Sequence, residues 1–161
     1  MGKHTPLSAE ENARLRIRDG RDSCISRQGR YTSEDVLYVP TRGRFIIKNS
    51  LIMKNPRGFA EERKYGRELC IPDKLIENIL HNSVNIPYGK GEIFTGSIVD
   101  DEVGAYLFGQ QTRAYGKFLE EHGINEIPIG LFGIDYVDGQ TQAFVRELWL
   151  YSLDCRSRLG P

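Results

Sequence analysis

Cysteine is scarce in this sequence and forms no CxxC motif. Cys24, Cys70 and Cys155 are the only three, and they lie far apart. An odd number of separated cysteines argues against a disulfide framework and against a structural zinc site, because both need paired or closely spaced thiols. The sequence also lacks an N-x-S/T glycosylation sequon. These absences predict a reduced, intracellular protein, which we place in the cytoplasm.

Long apolar runs and common catalytic motifs are missing as well. No run approaches the ~20 apolar residues that cross a bilayer, and residues 1–6 lack the apolar stretch of a signal peptide. The GxSxG motif of serine hydrolases and the GxxxxGK[ST] loop that cradles phosphates are both absent. We therefore expect no membrane partner, and no motif indicates a cofactor.

The sequence does contain a charge split beneath a neutral total. Residues 1–70 carry 15 Lys and Arg against 9 Asp and Glu, whereas residues 71–161 carry 7 against 13. The first half, here called the basic half, therefore has a net charge of +6, and the second, the acidic half, a net charge of −6. Such sorting suits one half to a polyanion and the other to cations or basic partners.

Size and local patterns predict one folded domain preceded by a separate segment. The chain has 161 residues, of which 39% are hydrophobic, enough for a single core. Ser8 and Glu11 fit a capping box that opens a short helix through Arg18, but the apolar stripe of this helix is too thin to dock firmly. We expect residues 1–33 to form a basic, weakly docked arm and residues 34–161 to form a single domain.

Turn signals and hydrophobic periodicity divide that domain into strands and helices. The expected order is two strands, two short helices, a strand, a long helix and two strands, which predicts an α+β fold. Its sheet would be mainly antiparallel, with two hairpins, a central strand and the helices on one face. The expected elements are strands 36–39 and 45–47 (the latter extending through 51–53), helices 57–67 and 72–82, a loop over 84–91, strand 92–99, helix 102–122, and strands 127–137 and 142–153 joined by an Asp138-Gly139 turn.

The arginines of the basic half give the leading functional hypothesis. Arg outnumbers Lys 11 to 4 in the first 70 residues. Because Arg makes bidentate phosphate contacts and stacks on bases, this bias favours DNA or RNA as the partner over a merely solvated face. The candidate nucleic-acid-binding residues lie in the arm and at the tip of the first hairpin, with Tyr31 as a stacking surface. They are Arg14, Arg16, Arg18, Arg21, Arg27, Arg30, Arg42, Arg44 and Tyr31.

Clustered carboxylates give a second hypothesis, a magnesium-dependent nuclease or phosphohydrolase. Asp100 and Asp101 lie at a predicted strand-to-helix junction, and Asp135 lies near the end of another predicted strand. If these strands are neighbours, the three carboxylates would converge on Mg²⁺, with Asp135 as the catalytic candidate. Helix capping by Asp100 or Asp101 is the structural explanation of the same pattern.

The charge split itself supports a third hypothesis, an interaction protein without catalysis. The basic half of one copy would meet the acidic half of a second copy or of another protein. A homo-oligomer or a charged protein partner is then expected. The sequence leaves open whether any catalysis occurs.

Overall fold

The structure of the chain is a computed structural model that describes residues 6–87, 92–94, 96, 98–130 and 141–154. Asp135 and the predicted Asp138-Gly139 turn lie outside these residues. The helices are α1 (Ala9–Asp19), α2 (Cys24–Arg27), α3 (Leu51–Lys54), α4 (Pro56–Lys64), α5 (Asp73–Leu80), α6 (Glu102–Phe108) and α7 (Thr112–Glu121). The strands are β1 (Arg30–Val39), β2 (Gly43–Ile47), β3 (Leu69–Ile71), β4 (Ser83–Ile86), β5 (Glu92–Phe94), β6 (Glu126–Gly130) and β7 (Ala143–Leu150).

The strands are hydrogen-bonded in the order β4-β2-β1-β7-β6-β5, and β3 pairs with β7 beside this path. The pairs β1–β2, β2–β4, β3–β7, β5–β6 and β6–β7 are all antiparallel. The predicted α+β fold with a mainly antiparallel sheet is thus confirmed. The first predicted hairpin is present, with Val39 paired to Gly43 across a tight turn in which Gly43 has a φ of 106°.

The chain divides into two compact units. We call residues 33–89 and 131–148 the strand-rich unit, and residues 1–32, 90–130 and 149–161 the helix-rich unit. The strand-rich unit has a core of side chains from β1, β2, β3, α5 and β7. Each large aliphatic side chain in it contributes about 1.5–3 kcal/mol by leaving water. The buried members are Leu37, Val39, Ile47, Ile71, Ile76, Ala143 and Val145.

In the helix-rich unit, α1 packs against α6 and α7 and is not weakly docked. The predicted capping box is present, with Ser8 Oγ accepting from the Glu11 backbone N–H. Ala9, Ala13 and Arg16 are fully buried, so α1 docks through small side chains and one polar anchor. The thin stripe of large apolar residues misled the sequence prediction, because alanine allows close helix approach without adding much apolar area. The boundary between residues 33 and 34 stays a prediction.

Two segments differ from the expected elements for local reasons. Residues 51–53 were expected to extend a strand, but they belong to α3, whose first two backbone N–H groups donate to the buried carboxylate of Asp35. The helix expected over 102–122 ends at Phe108 and resumes at Thr112 after a 3-10 turn. Gly109 carries a φ of 50° at this break, and Thr112 Oγ1 donates to its carbonyl oxygen at 2.6 Å.

Within the described ranges, no helix is both long and apolar enough to cross a membrane.

Candidate functional site

The arginines predicted to bind nucleic acid have different environments in the structure. Arg14, Arg18 and Arg27 are exposed, whereas Arg21 and Arg30 are half-buried. Arg18 pairs with its neighbour Asp19, and Arg27 Nε lies 3.9 Å from an Asp154 carboxylate oxygen. Arg21 donates to the His122 carbonyl oxygen at 2.9 Å and to Asp154 at 3.4 Å. Several of these guanidinium groups therefore bond within the helix-rich unit.

Arg16 is a structural anchor and has no access to a ligand. Its side chain is fully buried, and its hydrogen-bond acceptors are neutral oxygens. Nε donates to the Ile25 carbonyl at 3.0 Å, and Nη1 donates to the Tyr115 hydroxyl at 3.0 Å. Nη2 donates to the carbonyls of Gln28 at 3.3 Å and Tyr151 at 3.1 Å. One guanidinium thus connects α1 to α7, to the segment before β1 and to the segment after β7.

The two hairpin arginines and Tyr31 are also engaged within their own units. Arg44 is buried in β2 and donates to the Pro87 carbonyl oxygen at 3.0 Å. Arg42 forms an ion pair with Glu77 of α5. The Tyr31 ring packs edge-to-face on Trp149, with 4.8 Å between the ring centroids. The hairpin tip therefore does not present two solvated arginines to a phosphate backbone.

Ion pairs join the basic half to the acidic half inside one chain. Arg42 pairs with Glu77 and Arg63 pairs with Glu147, and in both cases the arginine belongs to the basic half. In the Glu68–Arg146 pair, the glutamate belongs to the basic half and the arginine to the acidic half. Within the folded chain, some charges of the two halves therefore neutralise each other. This removes part of the charge imbalance that suggested an external polyanion or a head-to-tail assembly.

The Mg²⁺ site proposed on Asp100, Asp101 and Asp135 stays a prediction, because Asp135 lies outside the described residues. Asp101 caps α6, because one of its carboxylate oxygens accepts from the backbone N–H groups of Val103 and Gly104 at 2.9 and 3.0 Å. Asp100 is exposed beside it. Within the part of the chain that the structure describes, no group of three or more His, Cys, Asp or Glu side chains is placed to hold a metal ion.

The structure describes a half-open cleft in the strand-rich unit. It encloses about 210 Å³ between the end of α4, the turn that follows it, and β7. Three guanidinium groups, one carboxylate and one aromatic ring line it. We call it the arginine cleft, and its lining residues are Phe59, Arg63, Gly66, Arg67, Glu68 and Arg146.

Each arginine of the cleft is paired with its own glutamate. Arg67 Nε lies 2.8 Å from one Glu62 carboxylate oxygen, and its Nη2 lies 3.1 Å from the other. Arg146 makes the same two-point contact to Glu68, with its Nε 3.0 Å from Oε2. Arg63 pairs with Glu147. Bidentate pairing of this kind fixes the plane of a guanidinium group and so its remaining donors.

Aromatic rings complete the cleft and its rim. The Arg63 guanidinium carbon lies 5.7 Å from the centroid of the Phe59 ring. The Tyr65 ring, which is 59% exposed, has the Arg67 guanidinium carbon 5.0 Å and the Lys64 ammonium nitrogen 5.8 Å from its centroid. Cation–π contacts at these distances are worth about 0.5–1 kcal/mol at exposed sites. The rim thus presents a large ring held by two cations.

Two titratable groups near the cleft have shifted pKa values. The Arg67 guanidinium lowers the pKa of the Glu62 carboxyl, so this carboxylate stays ionised at neutral pH. Burial raises the pKa of the Cys70 thiol in β3, and the charges of Glu62 and Glu68 raise it further. Because the thiolate is the reactive form of cysteine, Cys70 is a poor nucleophile near neutral pH.

Sequence reasoning missed the residues of the arginine cleft. The segment 57–67 was correctly expected to include a charged helix, but Arg63 and Arg67 were counted only as part of the basic half. Two features of the sequence pointed to these residues. Phe59 precedes Arg63 by four residues, which places both on the same helix face and predicts their contact. Arg146 is a charged residue inside an otherwise apolar strand, which indicates that it has a specific partner.

Comparison with known proteins places the chain in a fold class. No protein-family model matches the chain, and no curated protein matches its sequence. A solved structure from Nanoarchaeota, in which the C-type lectin fold accommodates massive sequence variation, is similar to it with a TM-score of 0.66. The two chains are 10% identical, and the match covers 94% of this chain and 78% of the other. The similarity shows the fold, which is the C-type lectin fold.

This fold corrects the leading hypothesis. It is a lectin-like fold and not one that indicates nucleic-acid binding, so the predicted function and the predicted DNA or RNA partner are wrong. The physical reason lies in the arginines themselves. Arg16 and Arg44 are buried, and Arg42 is paired within the protein, whereas phosphate binding needs accessible guanidinium groups.

Proposed function

We propose that this protein is a recognition domain that binds a partner protein through the arginine cleft and Tyr65. The observation that carries the proposal is the convergence of three paired arginines and two aromatic rings at one place on the strand-rich unit. Arg and Tyr are the residue types that supply much of the binding energy at protein interfaces. An exposed Tyr65 beside three guanidinium groups is therefore a suitable centre for an interface.

The size of the cleft favours an anchoring pocket over a small-molecule site. Its volume of about 210 Å³ lies below the roughly 300–1,000 Å³ of pockets that enclose drug-sized ligands. A pocket of this size accepts one side chain of a partner, while the surrounding surface makes the remaining contacts. Such anchors commonly lie near the centre of an interface.

The glutamate partners support binding by fixing the arginines before a ligand arrives. Ordering a long side chain at an interface costs about 0.5–1.5 kcal/mol. In this cleft, Glu62 and Glu68 already hold Arg67 and Arg146 through two hydrogen bonds each. Less conformational entropy is then lost when a partner binds.

The structural neighbour supports the same assignment to recognition. Its C-type lectin fold accommodates massive sequence variation, and this chain keeps that fold at 10% identity. A fold that tolerates such variation can carry different surfaces on a common sheet. We therefore assign recognition to the surface residues of this chain and not to groups shared with the neighbour.

Site-specific photo-crosslinking in cells of the source organism tests the proposal. A benzophenone amino acid replaces Tyr65 in one variant and Leu75 in a control, since Leu75 of α5 is also an exposed large residue, at 43%. We expect a discrete protein adduct from position 65 that is absent from position 75. Equal adducts from both positions, or none from position 65, would contradict the proposal.

A further inference from the structure

We infer that the arginine cleft receives a side-chain carboxylate, from Asp or Glu, of the partner protein. This inference rests on the proposed function and names the group that enters the cleft. Three arginines line the cleft, and although each is paired with a glutamate, Arg67 and Arg146 keep guanidinium N–H donors that an anion can accept from. The geometry of two of these arginines specifies which kind of anion.

Arg67 and Arg146 each bind a glutamate through one edge of the guanidinium group, which leaves a second edge available to a ligand. A guanidinium has a side-on edge, formed by Nε and Nη2, and an end-on edge, formed by Nη1 and Nη2. Glu62 occupies the side-on edge of Arg67, and Glu68 occupies that of Arg146. Among the described residues, Nη1 of neither arginine donates a hydrogen bond. The end-on edge of each guanidinium can donate two parallel hydrogen bonds to the two oxygens of a planar carboxylate.

The surrounding charges favour a carboxylate over a phosphate. Glu62, Glu68 and Glu147 lie in contact with the three arginines and offset their three positive charges. A phosphate monoester carries a charge of about −1.5 to −2 at pH 7, so these glutamates repel it more strongly than a carboxylate of charge −1. Because the three glutamates balance the three arginines, a carboxylate of charge −1 meets less repulsion here than a phosphate does.

The Phe59 ring strengthens this selection. It lines the cleft beside the Arg63 guanidinium and brings an apolar surface against the bound group. Because water is excluded on that side, a hydrogen bond to the guanidinium becomes electrostatically stronger than in bulk solvent. A neutral amide of the same shape gains less, since it lacks the charge that the arginines stabilise.

Nuclear magnetic resonance titration at pH 7 tests the inference on the full chain. The probe is N-acetyl-glutamate methylamide, whose side chain is ionised at this pH, and the matched control is N-acetyl-glutamine methylamide. We expect saturable shifts of the Arg67 and Arg146 Nε–Hε resonances with the glutamate probe. Binding of the glutamine probe should be at least tenfold weaker. Equal binding of the two probes would overturn the inference.

Two arginine substitutions separate the cleft from general positive charge. Arg67→Gln removes one lining guanidinium, and Arg57→Gln removes an exposed arginine of α4 outside the lining. We expect Arg67→Gln to weaken glutamate-probe binding at least tenfold and Arg57→Gln to change it less than twofold. Equal weakening by both substitutions would show charge attraction without a site and would overturn the inference.

Two further probes, glucuronate and inorganic phosphate, identify other anion sources. Tighter binding of glucuronate than of the glutamate probe would assign the cleft to an acidic sugar, and tighter binding of phosphate would assign it to a phosphorylated ligand. Either result overturns the inference. The crosslinking experiment fails or succeeds separately, because an adduct from position 65 reports a partner whether or not a carboxylate enters the cleft.

Discussion

The Arg146 guanidinium lies side-on against the Glu68 carboxylate, with its Nε 3.0 Å from Oε2 and a second hydrogen bond from Nη2 to Oε1. Both side chains are partly buried, at 33% and 23% exposed. The pair connects β7 to the residue before β3 and orients the guanidinium within the arginine cleft. The pair is therefore structural, and under the proposed function it also positions a binding group.

Replacing Glu68 should lower stability more than replacing the other bidentate glutamate. Glu68→Gln removes a charge-assisted contact in a partly buried place, and we expect a loss of about 1–2 kcal/mol in the free energy of unfolding. Glu62→Gln disrupts the more exposed pair with Arg67 and should cost less than about 1 kcal/mol. Urea unfolding measures both values. An equal or smaller loss for Glu68→Gln would contradict the structural role of the Arg146 pair.

Arg16 should be the most sensitive position of α1. Arg16→Met leaves the Tyr115 hydroxyl and three carbonyl oxygens without this donor in a buried place. An unsatisfied buried polar group costs about 1–3 kcal/mol, so we expect a total loss above about 3 kcal/mol, or failure to fold. Arg14→Met, two residues away and exposed, should change stability by less than about 0.5 kcal/mol. Similar denaturation midpoints for the two variants would contradict this account of α1 docking.

Asp35 should make stability depend on pH in the acidic range. Burial raises the pKa of its carboxyl to about 6 from 3.8, while hydrogen bonds from Ser50, Ile52 and Leu51 oppose the rise. The folded protein then holds this proton more tightly than the unfolded chain does. The resulting stability is fully present below pH 3.8 and is lost as pH rises through about 6.

Comparison with Asp35→Asn isolates this contribution from the other carboxyl groups. The stability of the wild type relative to the variant should fall between pH 4 and pH 6.5 by about 2 kcal/mol, since each pKa unit corresponds to ~1.4 kcal/mol and part of the loss lies below pH 4. Chemical denaturation at several pH values provides the measurement. A relative stability that is flat or rises over this range would refute the assignment.

Gly109 should be required for its backbone conformation. Its φ of 50° and ψ of −122° lie in a region that side chains with a Cβ rarely adopt, so Gly109→Ala should cost about 1–3 kcal/mol. A Cβ there would also lie 2.5 Å from a Glu10 carboxylate oxygen, but that flexible side chain can move. The double variant with Glu10→Ala should therefore recover little stability in thermal unfolding. Full recovery would assign the cost to steric contact instead.

The sequence predicted the elements whose signals are local. The capping box at Ser8 and the first hairpin both depend on a few adjacent residues, and both are present in the structure. The short strands β3 and β4 were not predicted. Residues 84–86 were expected to be loop, but they pair with β2, and such a non-local partner leaves no periodic pattern in three or four residues.

The candidate site was less predictable because distant residues form it. Arg63 and Glu147 are 84 positions apart, and Glu68 and Arg146 are 78 apart. Composition therefore showed an excess of arginine in the first 70 residues but not which acids would neutralise it. The burial of Arg16 was equally hidden, since its acceptors come mainly from backbone carbonyls whose positions depend on the fold.

The affinity of the crosslinked partner for matched variants tests the central claim most directly. Isothermal titration calorimetry would compare the wild type with Tyr65→Ala and Leu75→Ala, which both shorten an exposed large side chain of the strand-rich unit. The recognition role of the arginine cleft and its rim predicts at least a tenfold loss of affinity for Tyr65→Ala, about 1.4 kcal/mol or more. Leu75→Ala should stay within twofold of the wild type. Unchanged affinity for Tyr65→Ala, or an equal loss for both variants, would contradict that role.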